Sequence, residues 1–206
     1  MLTLVNNIVK DSRVKVDLCP LLDHGPITTI HAIIMHQTGG STAAGTLSKY
    51  KDPKAEHTGA HFLLDKDGTM YQTLALNRRA AQVAPIKSRC LAEKRCTPKD
   101  LAAYAKINKE LRTASQGKRN RAIGAYEGLK QYPDRYPYNP DAIGIEVVGR
   151  FLTSTKSYEN VTPQQNVYLH WFVKDLMQAL KLTDTDIYRH PQLSAKEQSE
   201  AANVTW

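Results

Sequence analysis

The apolar positions of this chain follow a strand-like pattern first, then a helix-like one, then both in alternation. ITTIHAIIMHQT, from Ile27 to Thr38, is rich in β-branched residues and follows the breaker Gly25-Pro26. It predicts a buried strand ending at His36. STAAGTLSKYK offers Ser41 or Thr42 as the N-cap of a short helix, and DPKAEHTG leads back as a loop. AHFLLDKDGTMYQTL sets two β-rich runs around Asp65-Lys66-Asp67-Gly68, a turn whose glycine accepts the positive φ that a hairpin loop requires.

From Pro85 onward the chain turns basic, Ala-rich and Tyr-rich. TPKDLAAYAKINKEL supplies Thr97 as N-cap, Pro98 at the first helical position, and Leu101, Tyr104 and Leu111 at near-helical spacing. This predicts a basic helical insertion over about residues 85–138. The three prolines of YPDRYPYNP stop any helix before AIGIEVVG, a predicted central strand with a single charged residue, Glu146. TPQQNVYLHWFVKDLMQALK opens with a capping box, Thr162 to Gln165, and puts Leu169, Val173, Leu176 and Leu180 on one face. That helix should pack on the sheet. DIYRH is a short predicted strand that delivers His190 to its end, with a loop beyond it, and no internal repeat is visible.

At 206 residues the chain fits a single domain, 1–206, built on one sizeable core. No apolar run approaches the roughly 20 residues needed to span a bilayer, so a soluble protein without a membrane span is expected. The start, MLTLVNNIVKDSRVKVDLCP, has neither a basic region leading into an apolar block nor a small-residue cleavage site. The expectation is synthesis in the cytoplasm without a signal peptide. The net charge of +8 favours a polyanionic neighbour, either nucleic acid or an anionic cell wall. Much of it lies between Lys87 and Arg135, no nucleic-acid-binding motif accompanies it, and no nucleic-acid partner is expected. Cys19, Cys90 and Cys96 form no C-x-x-C pair, which argues against a disulfide framework and a cysteine-rich zinc site. Free thiols at Cys90 and Cys96 are the default expectation, with a bridge between them open to an oxidising compartment.

Two histidines that end predicted strands, His36 and His190, together with Glu200 in the following loop, make the ligand set of an open zinc site. Seven histidines permit many other combinations, so spacing alone does not select this one. AIIMHQTGG, GAHFLLDKDGTMYQTLALNRRA, NPDAIGIEVVG and YRHPQLSAKEQSEA, in that order, resemble the zinc-dependent N-acetylmuramoyl-L-alanine amidases of the amidase-2 family. These share a fold with peptidoglycan recognition proteins. The resemblance implies an α/β fold with a central mixed β-sheet flanked by helices, and the insertion added to it.

Position by position, the resemblance makes His36 the first zinc ligand, His190 the second, and Glu200, where many relatives have Asp or Cys, the third. Glu146 matches the glutamate that handles the proton of the attacking water, and burial on an apolar strand would raise its pKa toward a useful range. Where relatives place an oxyanion-stabilising lysine this chain has Gln198, with Lys196 two positions earlier. Gln198, Lys196 or zinc alone must then carry that charge. The family's R-R-A-W-H-A-G segment reads RRAAQVA, Arg78 to Ala84, which implies rebuilt substrate contacts. His61 is expected beside the site without being a ligand, while His31, His57 and His170 are expected to be structural or surface residues.

The implied activity is cleavage of the amide between N-acetylmuramic acid and L-alanine in peptidoglycan or muropeptides. A wall-lytic enzyme acting in the periplasm or cell wall is expected, either an injected antibacterial effector with a cognate immunity protein or an endolysin. The alternatives are a cytoplasmic muropeptide-recycling amidase and a non-catalytic peptidoglycan-binding module.

Overall fold

The computed structural model describes residues 2–206. In chain order a small hairpin, β1 (Leu4–Val5) and β2 (Ile8–Val9), precedes β3 (Val14–Val16), β4 (Ala32–Gly39), α1 (Ala43–Tyr50), β5 (Phe62–Leu64) and β6 (Met70–Gln72). Next come α2 (Arg89–Ala92), α3 (Pro98–Glu110) and α4 (Gln116–Gly128), and then β7 (Ala142–Leu152), β8 (Ser157–Tyr158), α5 (Pro163–Leu180), β9 (Ile187–Arg189) and α6 (His190–Leu193). The main sheet has the order β3-β6-β5-β7-β4-β9, with β8 added to β7. It is mixed: β4 lies parallel to both β7 and β9, and β5 parallel to β7, whereas β5 with β6 and β7 with β8 are antiparallel.

Local chemistry accounts for most of these elements. Thr42, rather than Ser41, caps α1 by accepting from the Gly45 amide, and the capping boxes of α3 and α5 both form. Gly68 takes φ 88° in the hairpin turn. Three boundaries differ from the pattern. The first core strand begins at Ala32, because the Ile27 amide is engaged by the Asn77 carbonyl and the His31 amide by that of Asp141. It also runs past His36 to Gly39, so that histidine projects from within the strand. Beyond β9 the chain turns at once into α6 instead of a loop.

Strand alternation sorts the core into two faces. Ile33 and Met35 of β4, with Ile143, Ile145 and Val147 of β7, face Leu169, Phe172, Val173 and Leu176 of α5 in the largest apolar cluster. Their alternates face the other way. Leu63 and Val148 pack under Leu47 and Tyr50 of α1, while Ile34 and Ala142 pack with Val83, Ile86 and Leu193. His36 and Glu146 belong to this second face by the same alternation.

The segment over residues 85–138 is organised around ions more than around apolar contacts. Lys130 Nζ lies 2.8 Å from Asp100 Oδ1 and 2.6 Å from Glu127 Oε1, and it donates to the Tyr104 hydroxyl at 3.1 Å. These carboxylate and phenol partners hold the lysine's pKa above its ordinary value against the opposing effect of burial. Cys90 and Cys96 form a disulfide, which corrects the expectation of free thiols; the turn after α2 brings their Cα atoms to 4.6 Å. Cys19 is free and buried.

Candidate active site

Three donor atoms from distant parts of the sequence meet on the second face of the sheet. His36 Nδ1 lies 3.0 Å from His190 Nδ1, and Glu200 Oε1 lies 2.9 Å from His190 Nδ1 and 3.5 Å from His36 Nδ1. All three residues are buried. Burial, reinforced by the neighbouring His36, pushes His190 down to about 4 and so keeps its imidazole neutral. Burial opposes ionisation of Glu200, but its contacts to His190 and His36 outweigh that and hold the carboxyl at about 2.

This set fits zinc. Neutral imidazoles and an ionised carboxylate are the protonation states that metal binding requires. Tetrahedral bonds of about 2.0–2.1 Å place neighbouring ligand atoms about 3.3 Å apart, close to the spacing of this triangle. Without a cation, the cluster needs a proton on one imidazole nitrogen, such as His190 Nδ1 donating to Glu200, to keep its lone pairs from facing one another.

The scaffold around the three residues fixes their orientation. Gln82 donates from Nε2 to the Ala142 carbonyl at 2.9 Å, which leaves its Oε1 to accept from His36 Nε2 at 3.2 Å. His36 therefore carries its proton on Nε2 and aims the Nδ1 lone pair inward. Gly144 makes room for this contact, since a Cβ there would lie 1.8 Å from Gln82 Oε1. Gln37 accepts from the Ala201 amide at 2.9 Å, and Arg189 donates to the Ala201 and Val204 carbonyls, tying down the loop that bears Glu200.

Glu146 lies beside His36 in the parallel register of β4 and β7. Its Oε2 is buried with no hydrogen-bond partner among the described residues. Burial raises its pKa to about 7, partly offset by His36. Lys196 lines the same cleft, a cavity of about 620 Å³ bounded also by Lys49, Tyr50, Gln82 and Tyr158. Gln198 is exposed, and its side-chain amide reaches the Lys196 carbonyl at 3.4 Å. His61 is locked between the Arg78 carbonyl and the Gly144 amide, outside the ligand cluster. His31 stacks on Tyr132, and His170 contacts Thr205.

Two cleft residues escaped the sequence reading. Gln82 stands where the family motif has histidine, so its departure from the motif was the available signal. Tyr158 belongs to no motif; burial, with Glu200 and Glu146 nearby, pushes its hydroxyl up to about 12 and keeps it a hydrogen-bond donor.

The mixed sheet thus carries a buried acid beside a two-histidine, one-carboxylate cluster. The sequence model of the family Amidase_2, N-acetylmuramoyl-L-alanine amidase, matches residues 26–202, and the chain belongs to that family. Among solved structures it is similar to the catalytic domain of XlyA, with TM-score 0.53 and 18% identity over 89% of this chain and 88% of that one. It is similar to a mutant endolysin from Bacillus subtilis, with TM-score 0.53 and 17% identity over 89% and 87% of the two chains. It is also similar to an AmpD derivative, with TM-score 0.56 and 14% identity over 96% and 90%. At these identities the structural likeness concerns the fold. No curated protein matches the chain. The protein is a peptidoglycan amidase by class, and none of its described helices is long and apolar enough to cross a membrane.

Proposed function

We propose that the enzyme hydrolyses the amide between the lactyl group of N-acetylmuramic acid and L-alanine at a zinc centre held by His36, His190 and Glu200. The observation that carries this reading is the convergence of those three donor atoms in the register-neighbourhood of Glu146. When bound, zinc supplies Lewis-acid activation of water and of the amide carbonyl. Glu146, with a pKa raised to about 7 by burial, accepts the proton of the attacking water and returns it to the leaving amine. Lys196, lining the cleft, and the neutral hydroxyl of Tyr158 are the donors placed to stabilise negative charge on the carbonyl oxygen. Gln198, which does not line the cleft and turns its amide to the Lys196 backbone, is the less suited of the two oxyanion candidates.

We place its action on assembled cell wall, as an injected effector or an endolysin, in preference to cytoplasmic recycling. The Cys90–Cys96 disulfide supports this, because such bonds persist in oxidising spaces such as the periplasm. An effector role would require an immunity protein in the producing cell. Mass spectrometry of products from intact sacculi and from soluble anhydro-muropeptides, compared at equal enzyme, tests both parts. Release of L-alanine-terminated stem peptides, faster from sacculi, is expected. Cleavage elsewhere would refute the bond assignment, and a preference for the soluble fragments would refute the wall-lytic role.

A further inference from the structure

All of the net charge of this chain resides in the insertion. Residues 85–138 contain thirteen Lys or Arg and five Asp or Glu, and the remaining residues contain fifteen of each. Every one of those five acids is already engaged by a cation: Glu93 by Arg89 and Arg95, Asp100 and Glu127 by Lys130, Glu110 by Lys106, and Asp134 by Arg95. Of the other cations, Arg135 is buried against Asp141 and Lys87 is half-buried on the Pro191 carbonyl, whereas Lys94, Lys99, Lys109, Arg112, Lys118 and Arg121 face solvent.

They are arranged with apolar companions. On α3, running just past its end, Leu101, Ala105, Lys109 and Arg112 are all exposed and recur at intervals of three and four residues, which places them on one stripe. On α4, again running just past its end, Lys118, Arg121, Ala125 and Leu129 form a second exposed stripe with the same intervals. None of these four cations makes an ion pair among the described residues. Leu101 is 52% exposed and Leu129 82%, in a protein whose other large apolar side chains are mostly buried.

The helices run antiparallel: Tyr126, near the end of α4, donates to Asp100 at the start of α3, and the Tyr104 and Tyr126 rings lie 5.5 Å apart. Both leucines therefore sit at the root of the hairpin and all four cations near its turn. The buried Lys130 network and the disulfide brace this arrangement.

We propose that the α3–α4 hairpin is a docking surface for an anionic lipid membrane. Its cations meet headgroups and its leucines enter the interface. Surplus positive charge alone would serve any polyanion, but a nucleic acid or a charged wall polymer has no use for two leucines on the same stripes. A bilayer interface takes both. This inference does not depend on the hydrolytic chemistry.

The test is sedimentation of the full chain with vesicles of phosphatidylcholine alone, or of phosphatidylcholine with roughly a third phosphatidylglycerol. Binding to the anionic vesicles only, weakened by salt, is expected. Replacing Lys109, Arg112, Lys118 and Arg121 with Glu should weaken it by at least about tenfold. Leu101→Ser with Leu129→Ser, which leaves the charge untouched, should weaken it several-fold at fixed salt. Both variants change exposed positions away from the cleft, and a wild-type circular dichroism spectrum and thermal unfolding transition would certify that they fold. Failure of the wild type to bind anionic vesicles at low salt would overturn the proposal. So would wild-type binding by the leucine variant together with equal affinity for duplex DNA, which would assign the surface to polyanions in general.

Discussion

His36 and Glu146 are register partners across the parallel strands β4 and β7, both pointing to the face of the sheet opposite α5. Backbone hydrogen bonding thus fixes the distance between this histidine and this acid more firmly than loops could. Strand neighbours stand about 4.8 Å apart, near enough for the acid to reach a water held beside the histidine. The carboxyl is one of the few buried groups left without a hydrogen bond, an arrangement that weakens a fold and that active sites maintain.

Glu146→Gln should therefore lower turnover by about a hundredfold to ten-thousandfold while leaving zinc content at that of the wild type. It should also raise stability. A carboxyl whose folded pKa of about 7 exceeds its ordinary 4.5 costs the fold increasingly as pH rises between those values. The metal-free variant should melt higher than the metal-free wild type at pH 8, by up to about 3 kcal/mol, and equally at pH 4. A variant no more stable at pH 8 would mean that Glu146 is not strained by burial.

The same group sets the acidic limb of the pH profile. A base must be unprotonated, so kcat/KM should rise with pH along a limb whose midpoint lies at or below about 7, where half of the Glu146 carboxyls have lost their proton. A bound cation nearby favours the carboxylate and moves the limb to lower pH, never higher. Steady-state rates between pH 4 and 9 check this, and a limb centred above 8 would exclude Glu146 as the base.

Gln82 holds the His36 ring by its outer nitrogen, so Gln82→Leu should weaken zinc binding by about tenfold to a hundredfold without unfolding the protein. Gly144→Ala should weaken zinc binding at least as much, because the new Cβ would lie 1.8 Å from Gln82 Oε1 and 2.9 Å from the Ala60 Cβ and so would displace both. Competition titration against a zinc chelator measures both. If the two changes act through one contact, the double variant should be little worse than either single one. Full additivity would separate them.

How much of the fold and site is legible in the sequence follows from the range over which each signal acts. The Asp65–Gly68 hairpin, the Thr162 cap of α5 and the apolar stripe of that helix are written within a few consecutive residues, and they formed as read. The meeting of His36, His190 and Glu200 spans most of the chain; periodicity carries no information about such a contact, and only family likeness picked out those three from the other titratable residues. Gln82 and Tyr158 were missed for a related reason: each is placed by tertiary packing, one into the space left by Gly144, the other by a two-residue strand added to β7. The start of the first core strand was misplaced because Ile27 spends its amide on Asn77, a partner fifty residues away. The free-thiol reading failed because compactness of the turn after α2 is a three-dimensional property.

The insertion makes its own prediction. Lys130→Met leaves Asp100 and Glu127 facing each other without their shared cation, with Glu127 fully buried. Stability should fall by about 3 kcal/mol, a drop in Tm of roughly 5–10 °C. Calorimetry reads it directly, and an unchanged Tm would mean that the network contributes nothing net.

Metal content bears most directly on the chemistry assigned to this fold. Protein purified without chelators should carry about one zinc per chain by mass spectrometry of the metal, His36→Ala and His190→Ala should carry essentially none, and cell-wall cleavage should disappear with the metal. Full hydrolysis by a zinc-free wild type, or a full complement of zinc in both histidine variants, would contradict it.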